Sequence, residues 1–293
     1  MRNIDSPGLG FGAMLLSMLL FSLMDANVKW LGATYPTAEI MFFRCAVAII
    51  PVGLIVVMRG GWRVLKTTQP GLHLLRSVLG VSAMGFAFYA FSLMPLADGI
   101  SILHAAPVFM TALSVILLGD KVGIRRWSAV IVGFIGMLIV VRPGAGMLES
   151  GSFYMLIAAM LIACTTIIIR HLVATDDPVC ITFYFTLNGI AISLLGVALQ
   201  GWQTPPMRDL ALLSLVGLLG GTAQYLMTVS YRYVAIGAVA PLKYFSILFG
   251  GFIAYMVWGE IPDLQSIIGI AIIIGSGLYT LHRELIVGTG ASR

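Results

Sequence analysis

Ten long apolar stretches, joined by short connections that hold most of the charge, constrain the fold of this 293-residue chain more than any other feature. A helix needs about 20 predominantly apolar residues to cross the roughly 30 Å hydrocarbon core of a bilayer, and each stretch is close to that length. The sequence therefore predicts an all-α polytopic membrane protein with ten transmembrane helices. The predicted spans are 9–31, 37–58, 72–93, 96–118, 124–141, 152–172, 179–199, 209–231, 236–258 and 264–282.

Composition identifies the lipid bilayer as the solvent and partner of most of the surface. Hydrophobic residues make up 59% of the chain and charged residues only 10%, whereas about a quarter of the residues of a soluble domain are charged. The first stretch, 9–31, is too long for the core of a signal peptide, so we expect it to be a retained span.

Several function classes lack their sequence signals. The net charge of +5 is spread over short loops, so nucleic-acid binding is not expected. Cys45, Cys164 and Cys180 are an odd number of widely spaced thiols in apolar segments, which predicts packing residues instead of a disulfide framework or a metal site. No Gly-rich loop followed by Lys and Ser or Thr occurs, so ATP-driven pumping is not expected. No cofactor is predicted.

The distribution of Lys and Arg predicts that both termini are cytoplasmic. With ten spans and an inner N-terminus, twelve of the seventeen basic residues fall on the inner side and three on the outer side, while Arg44 and Lys243 lie inside spans. This bias follows the positive-inside rule. The inner residues are Arg2, Arg59, Arg63, Lys66, Arg76, Lys121, Arg125, Arg126, Arg170, Arg232, Arg283 and Arg293.

The two halves of the chain, 1–146 and 147–293, match weakly but in register. Lys29-Trp30-Leu31 corresponds to Arg170-His171-Leu172 at an offset of 141, and Gly119-Asp120 corresponds to Gly259-Glu260 at an offset of 140. Because five spans is an odd number, we expect the second copy to enter the membrane upside down. Inverted repeats are typical of secondary transporters, whose solute site lies near the bilayer midplane between the repeats.

Several short segments resemble the EamA repeats of the drug/metabolite transporter superfamily. The segments are Phe91-Ser92-Leu93-Met94-Pro95-Leu96-Ala97, Ala106-Pro107-Val108-Phe109, Gly119-Asp120-Lys121, Ala240-Pro241-Leu242-Lys243-Tyr244 and Gly259-Glu260-Ile261-Pro262-Asp263. The usual Glu after the Gly of the first repeat is Asp120 here. This resemblance implies a ten-helix bundle with a central cavity in a bacterial inner membrane, and it extends to a branch that contains S-adenosylmethionine and riboflavin importers. It does not imply import or export.

Lys243, Tyr244 and His104 are the leading candidates for contact with a solute. Pro241 lacks a backbone donor and disfavours regular helix, so we predict a broken span in which Lys243 and Tyr244 anchor a carboxylate or phosphate. A Lys that extends to the membrane interface is the alternative. His104 corresponds to Tyr244 at the offset of 140, so both should approach one region. Its imidazole can contact solute or carry a proton, or merely join two helices.

Other polar and aromatic residues inside the spans are further candidates. Arg44 can bind an anionic solute or form an ion pair with Asp25 or Glu39. The i, i+4 spacing of Asp25 and Lys29 favours a local ion pair, and a buried Asp25 is also a candidate for proton coupling. Residues that can line an aromatic or polar cavity are Phe86, Tyr89, Gln224, Tyr225 and Asn27. The spacing of Gly217 and Gly221 predicts close helix contact.

The sequence thus predicts a secondary transporter, not an enzyme, that moves a small organic metabolite by alternating access. The solute is expected to be amino-acid-like, nucleoside-like or vitamin-like, and zwitterionic or anionic. Import of S-adenosylmethionine or riboflavin is a narrower alternative, and a membrane scaffold or an intramembrane enzyme is an alternative of another class. Coupling to a proton or to an exchanged solute stays open, as does the choice between a monomer and a homodimer.

Overall fold

The computed structural model describes residues 7–106, 109, 113, 124–141, 151–234 and 239–290. Every regular element within these residues is helical, as the apolar stretches predict. Most of predicted span 96–118 after its first half, and the Gly119-Asp120-Lys121 segment, lie outside the described residues.

The described residues form ten α-helices and two short 3-10 helices. The first five α-helices are α1 (Pro7–Gly32), α2 (Thr37–Met58), α3 (Pro70–Phe91), α4 (Leu96–Leu103) and α5 (Ile124–Val141). The others are α6 (Ser152–Thr175), α7 (Pro178–Gln200), α8 (Met207–Tyr233), α9 (Phe245–Trp258) and α10 (Leu264–Gly290). The 3-10 helices are Gly61–Leu65, after α2, and Ala240–Tyr244, before α9.

Six of these helices, α1, α2, α3, α6, α7 and α8, are long and apolar enough to cross a membrane by length and composition. Their outer surfaces are apolar as well. On one side of α2, for example, Ile50, Leu54 and Val57 are 62%, 61% and 73% exposed. A row of large apolar side chains facing outward is what a lipid-facing helix requires and a water-facing helix avoids.

Proline and glycine set several helix boundaries. Pro178 occupies the first turn of α7, where its missing N–H costs nothing, and the Asp177 side chain accepts a hydrogen bond from Val179 N at 3.0 Å as the N-cap. At the other end of a helix, Gly259 adopts a φ of +66° directly after α9. Such a left-handed residue ends a helix without the strain that a Cβ would bring.

Two predicted spans differ from the observed helices. Predicted span 236–258 is not continuous: residues 240–244 form a 3-10 helix and the α-helix begins only at Phe245. This break agrees with the expectation from Pro241, which removes one backbone donor. In predicted span 96–118, α4 ends at Leu103 after eight residues.

The two halves of the chain pack against each other along several long helices. Helix α1 of the first half packs along α8 of the second, and α3 packs along α6, while α2 contacts both α7 and α8. Glycines allow the α2–α8 approach: a Cβ on Gly217 would lie 2.6 Å from Val47 Cβ, and one on Gly221 would lie 2.7 Å from Ala48 Cβ. The predicted helix contact through Gly217 and Gly221 is therefore confirmed.

Candidate functional site

The end of α4 meets the 3-10 helix that precedes α9, and His104 lies at this crossing. Its Nδ1 is 2.7 Å from Ile100 O and its Nε2 is 2.7 Å from Lys243 O. The imidazole also lies against the Tyr244 ring, with 5.3 Å between the ring centroids. The structure therefore brings together the three leading candidates from the sequence.

Two serines extend the crossing to α1. Ser246 Oγ is 2.8 Å from Lys243 O and 3.1 Å from His104 Nε2, and Ser22 Oγ donates to Ser246 O at 3.2 Å. A neutral imidazole carries only one N–H. Since Nδ1 and Nε2 each lie 2.7 Å from a carbonyl oxygen, a neutral His104 can donate to only one of Ile100 O and Lys243 O. Both ring nitrogens are occupied by protein groups, so His104 joins helices in this conformation.

The Lys243 side chain, in contrast, has no anionic partner among the described residues. Its Nζ lies 5.3 Å from the centroid of the Tyr231 ring, a distance typical of a cation–π contact. The Tyr231 hydroxyl is itself buried and has no hydrogen-bond partner among the described residues. A half-buried ammonium beside an unsatisfied hydroxyl is available to an incoming polar group.

A second group of polar residues lies in the interior between α2, α3 and α7. Arg44 is 2% exposed and Arg76 is 3% exposed, and both guanidinium groups face the ring of Phe185. The distance from Cζ to the ring centroid is 3.7 Å for Arg76 and 5.1 Å for Arg44. Nε and Nη1 of each arginine are buried without a hydrogen-bond partner in the described part of the chain.

Two further polar side chains border this arginine pair. Asp25 on α1 interacts electrostatically with Arg44, although the two groups form no direct ion pair in the described structure. Gln224 on α8 is 7% exposed, and its Nε2 has no hydrogen-bond partner among the described residues. The interior therefore holds hydrogen-bonding capacity that the described protein groups do not satisfy.

The predicted local ion pair between Asp25 and Lys29 is wrong, and so is the alternative pair between Arg44 and Glu39. Lys29 Nζ instead pairs with Glu260 Oε1, at the end of α9. Glu39 accepts a hydrogen bond from Gln203 N at 3.0 Å. In both cases a partner brought close by tertiary packing displaces the one suggested by sequence proximity.

The remaining candidates lie in other surroundings. Phe86 stacks on Tyr154 with 6.4 Å between the ring centroids. Tyr89, which is 43% exposed, contacts the same ring edge-on with a centroid distance of 4.9 Å. The Tyr225 hydroxyl accepts from Arg59 Nη2 at 3.2 Å, and Asn27 Nδ2 donates to Leu23 O of its own helix at 2.9 Å. Their assignment to a solute cavity stays a prediction.

Polar contacts close one face of the bundle, which we call the Lys29 face. Besides the Lys29–Glu260 ion pair, Leu96 N donates to Glu260 Oε2 at 3.1 Å, so one carboxylate joins α1, α4 and α9. Nearby, Tyr35 donates its hydroxyl to Asp209 Oδ2 at 2.7 Å. This hydrogen bond raises the pKa of Tyr35 to about 12.

The opposite face, which we call the Asp176 face, is closed by two neighbouring carboxylates. Asp176 Oδ2 is 2.6 Å from His73 Nε2 and accepts from Thr67 Oγ1 at 2.6 Å. Asp177 Oδ2 accepts from Arg232 Nη1 at 2.9 Å and lies 3.8 Å from Arg59 Nη1. These contacts join the end of α2, the start of α3, the α6–α7 connection and the end of α8.

The sequence missed two features of this arrangement. Arg76 was assigned to the basic residues of the inner side, although position 76 falls within predicted span 72–93; the structure buries it in α3. Its place inside an apolar run was the available signal. The other feature is a cluster of His73, Asp176 and Cys180, whose possible ligand atoms lie within 4.8 Å of one another. Asp176 and Cys180 are four residues apart, but no local spacing connects them to His73.

With this geometry established, comparison with known proteins identifies the chain. The model of the EamA-like transporter family matches it twice, over residues 8–142 and 149–281. One match falls within each of the halves recognised in the sequence. The chain belongs to the EamA-like transporter family. It is accordingly a multi-pass membrane protein, and the resemblance found in its motifs is confirmed.

Named relatives of this EamA-like transporter move different small molecules. It is 30% identical over 284 residues to an S-adenosylmethionine uptake transporter of Rickettsia bellii, covering 96% of each chain. It is 29% identical to a pseudopaline exporter of Pseudomonas aeruginosa, covering 88% of this chain and 91% of the relative. A riboflavin transporter of Vibrio cholerae is 28% identical, with 92% of each chain covered. These relatives are transporters, not enzymes.

A solved crystal structure shares the fold of this EamA-like transporter. The TM-score is 0.63 at 18% sequence identity, with 94% of this chain and 98% of the other covered. Because uptake and export both occur among the named relatives, the direction of transport is not a property of the family as a whole.

Proposed function

We propose that this EamA-like transporter is a secondary transporter that moves a small zwitterionic or anionic metabolite by alternating access. The observation that carries the proposal is the crossing of two interrupted spans, one from each half, at His104 and Lys243. Transporters built from repeats commonly bind solute where helices break near the midplane, because a break frees backbone groups and concentrates polar side chains.

Ten spans arranged as two inverted repeats, 1–146 and 147–293, fit the ends that meet on each face. Helix α1 ends on the Lys29 face, whereas its counterpart α6 ends on the Asp176 face. Likewise, α3 begins on the Asp176 face and its counterpart α8 begins at Asp209, on the Lys29 face. These ends support opposite directions for the equivalent helices, as a flip of one repeat in the membrane plane requires.

The basic loops orient this domain in a bacterial inner membrane, which is where we place it since the named relatives are bacterial proteins. We assign the Asp176 face to the cytoplasm because Arg59, Arg63 and Lys66 lie beside it in the sequence. Both termini are then cytoplasmic. Each face is closed by its own set of polar contacts. The contacts of one face can therefore separate while those of the other face stay formed.

Among the solutes named for the relatives, S-adenosylmethionine fits the interior better than riboflavin. Its carboxylate offers an anionic partner to the interior cations, such as the Lys243 ammonium, that have none among the described residues. Its positively charged groups are complementary to Asp25, a carboxylate without a direct ion-pair partner in the described structure. Riboflavin carries no carboxylate and would leave both groups unpaired, which is costly in a low-dielectric interior.

Uptake into proteoliposomes tests this proposal. Purified full-length protein is reconstituted, and the entry of radiolabelled S-adenosylmethionine and of riboflavin is followed with and without the same solute inside. We expect saturable S-adenosylmethionine flux that Lys243→Ala abolishes while the protein stays folded. The matched control is Lys66→Ala, which removes an exposed ammonium outside the crossing and should keep the wild-type flux.

Two results would contradict the proposal. Absence of flux for both solutes in either direction would remove the assigned solute class. Unchanged flux in Lys243→Ala would remove Lys243 from the solute site even if transport itself is confirmed.

A further inference from the structure

Arg44 and Arg76 are buried cations whose charge is not compensated by the described residues. Both guanidinium groups are buried, and Nε and Nη1 of each lack a hydrogen-bond partner among the described residues. A buried charge is strongly destabilising unless an opposite charge and hydrogen bonds compensate it. Two such groups beside one another, both facing the Phe185 ring, also repel each other.

The described neighbours of these arginines are weak partners. Arg44 Nη2 donates only one long hydrogen bond, to Gly220 O at 3.4 Å. The Cys45 thiol lies beside Arg44, and a thiol is a weak acceptor. Phe185 offers the negative face of its ring, which attracts a cation but accepts no conventional hydrogen bond from the guanidinium edge. Neither arginine is in a direct ion pair in the described structure.

We propose that Arg44 and Arg76 form a subsite that binds the oxyanion, a carboxylate or a phosphate, of the transported solute. This inference rests on the proposed transport function and extends it to the chemistry of the solute. A guanidinium presents paired N–H donors in a planar fork that matches two oxygens of such a group. In the present conformation Phe185 covers the fork of Arg76, with 3.7 Å between Cζ and the ring centroid.

The surroundings preserve this geometry. A Cβ on Gly220 would lie 3.0 Å from Arg44 Nε and 2.7 Å from Met24 Sδ, so the glycine leaves the guanidinium its space. Gln224, also on α8, adds a buried amide donor that is unpaired in the described structure. Asp25 interacts with Arg44 from α1 without a direct ion pair in the described structure, so the two guanidinium groups keep positive charge that an oxyanion can neutralise.

The test does not require the solute to be known. Thermal unfolding of the purified full-length protein is measured in acetate, in inorganic phosphate and in chloride at matched ionic strength. An anion that binds the folded protein raises its Tm, by roughly 2–4 °C at tenfold excess over its Kd. We expect this rise with acetate or phosphate relative to chloride. Acetate alone identifies a carboxylate subsite, and phosphate alone identifies a phosphate subsite.

Matched variants locate the effect. Arg44→Met and Arg76→Met keep the length of the side chain and should abolish the rise, whereas Arg232→Gln, at an exposed helix end, should retain it. Arg76→Lys preserves the charge without the fork and serves where a methionine variant does not fold; its rise should be smaller than that of the wild type.

No rise in the wild type, or an equal rise in the arginine variants that fold, would overturn the subsite. This outcome is separate from failure of the transport proposal. A protein that transports solute but shows no anion-specific rise keeps its function and loses the subsite. A protein that shows the rise but transports neither S-adenosylmethionine nor riboflavin keeps the subsite and loses the assigned solutes.

Discussion

Charged side chains at the helix ends and charged side chains in the interior behave differently in this EamA-like transporter. On the Lys29 face, Glu260 pairs with Lys29 and also accepts from a backbone N–H. On the Asp176 face, the Asp176 carboxylate contacts His73 and Thr67. The Asp177 carboxylate lies beside two cations, Arg232 and Arg59. In the interior, Arg44 and Arg76 have unpaired donors in the described structure.

This difference separates two uses of charge in an apolar protein. A charge that is paired within the chain stabilises one arrangement of helices, and the pairs at the two faces join elements from both halves. A charge that is left unpaired lowers stability and survives where another molecule supplies the partner. If the proposed subsite is correct, pairing distinguishes the charged groups that hold the bundle from those that bind a solute.

The largest effect on stability should come from the Asp176 face. Asp176→Asn removes the charge that binds His73 and Thr67 at 2.6 Å each, in a pair whose side chains are 2% and 4% exposed. We expect a loss of about 2–3 kcal/mol, because charge-assisted buried hydrogen bonds are the strong ones. Thermal unfolding in detergent measures it, and Thr67→Val should lose about 1 kcal/mol. Equal stability of Asp176→Asn and the wild type would show that this carboxylate charge does not hold the Asp176 face together.

A smaller effect is expected on the Lys29 face. Glu260→Gln keeps an acceptor for Leu96 N but removes the charge opposite Lys29, and the two side chains are 24% and 14% exposed. Solvent screens such a pair in part, so the expected loss is about 1 kcal/mol. A double-mutant cycle with Lys29→Met isolates the pair. A coupling energy of zero would show that the ion pair does not hold α1 to α9.

The smallest effect should come from Arg232, whose side chain is 47% exposed where it pairs with Asp177. Arg232→Gln should lower stability by less than about 1 kcal/mol, because exposed ion pairs contribute little. The difference from the wild type should vanish in 1 M salt, where the screening length falls to about 3 Å. A loss larger than that of Asp176→Asn would reverse the expected ranking.

The positions of most helices could be predicted from the sequence because local composition determines them. Helix α2 was predicted at 37–58 and spans Thr37–Met58, since Pro36 precedes it and Arg59 follows a continuous apolar run. The break before α9 was also predictable, because Pro241 acts on its own backbone. Predicted span 96–118 can be compared only in part: α4 ends at Leu103, and most of the span beyond residue 106 lies outside the described residues.

The partners of charged residues could not be predicted in the same way. Lys29 has a carboxylate four residues before it but pairs with Glu260, 231 positions away. Arg76 looked like a residue of a basic inner segment, yet it turns into the interior, toward Phe185 of the other half. Such choices depend on which helices pack together, and a single sequence contains that information only through its repeats and its family resemblance.

Removing both interior charges tests the central distinction most directly. The Tm of the double variant Arg44→Met, Arg76→Met is compared with that of the wild type in chloride, without added solute. If the interior arginines serve a solute and not the fold, removing two uncompensated buried charges should leave the Tm unchanged or raise it. A Tm lower than that of Asp176→Asn would contradict the account, because it would show that the interior charges hold the bundle together.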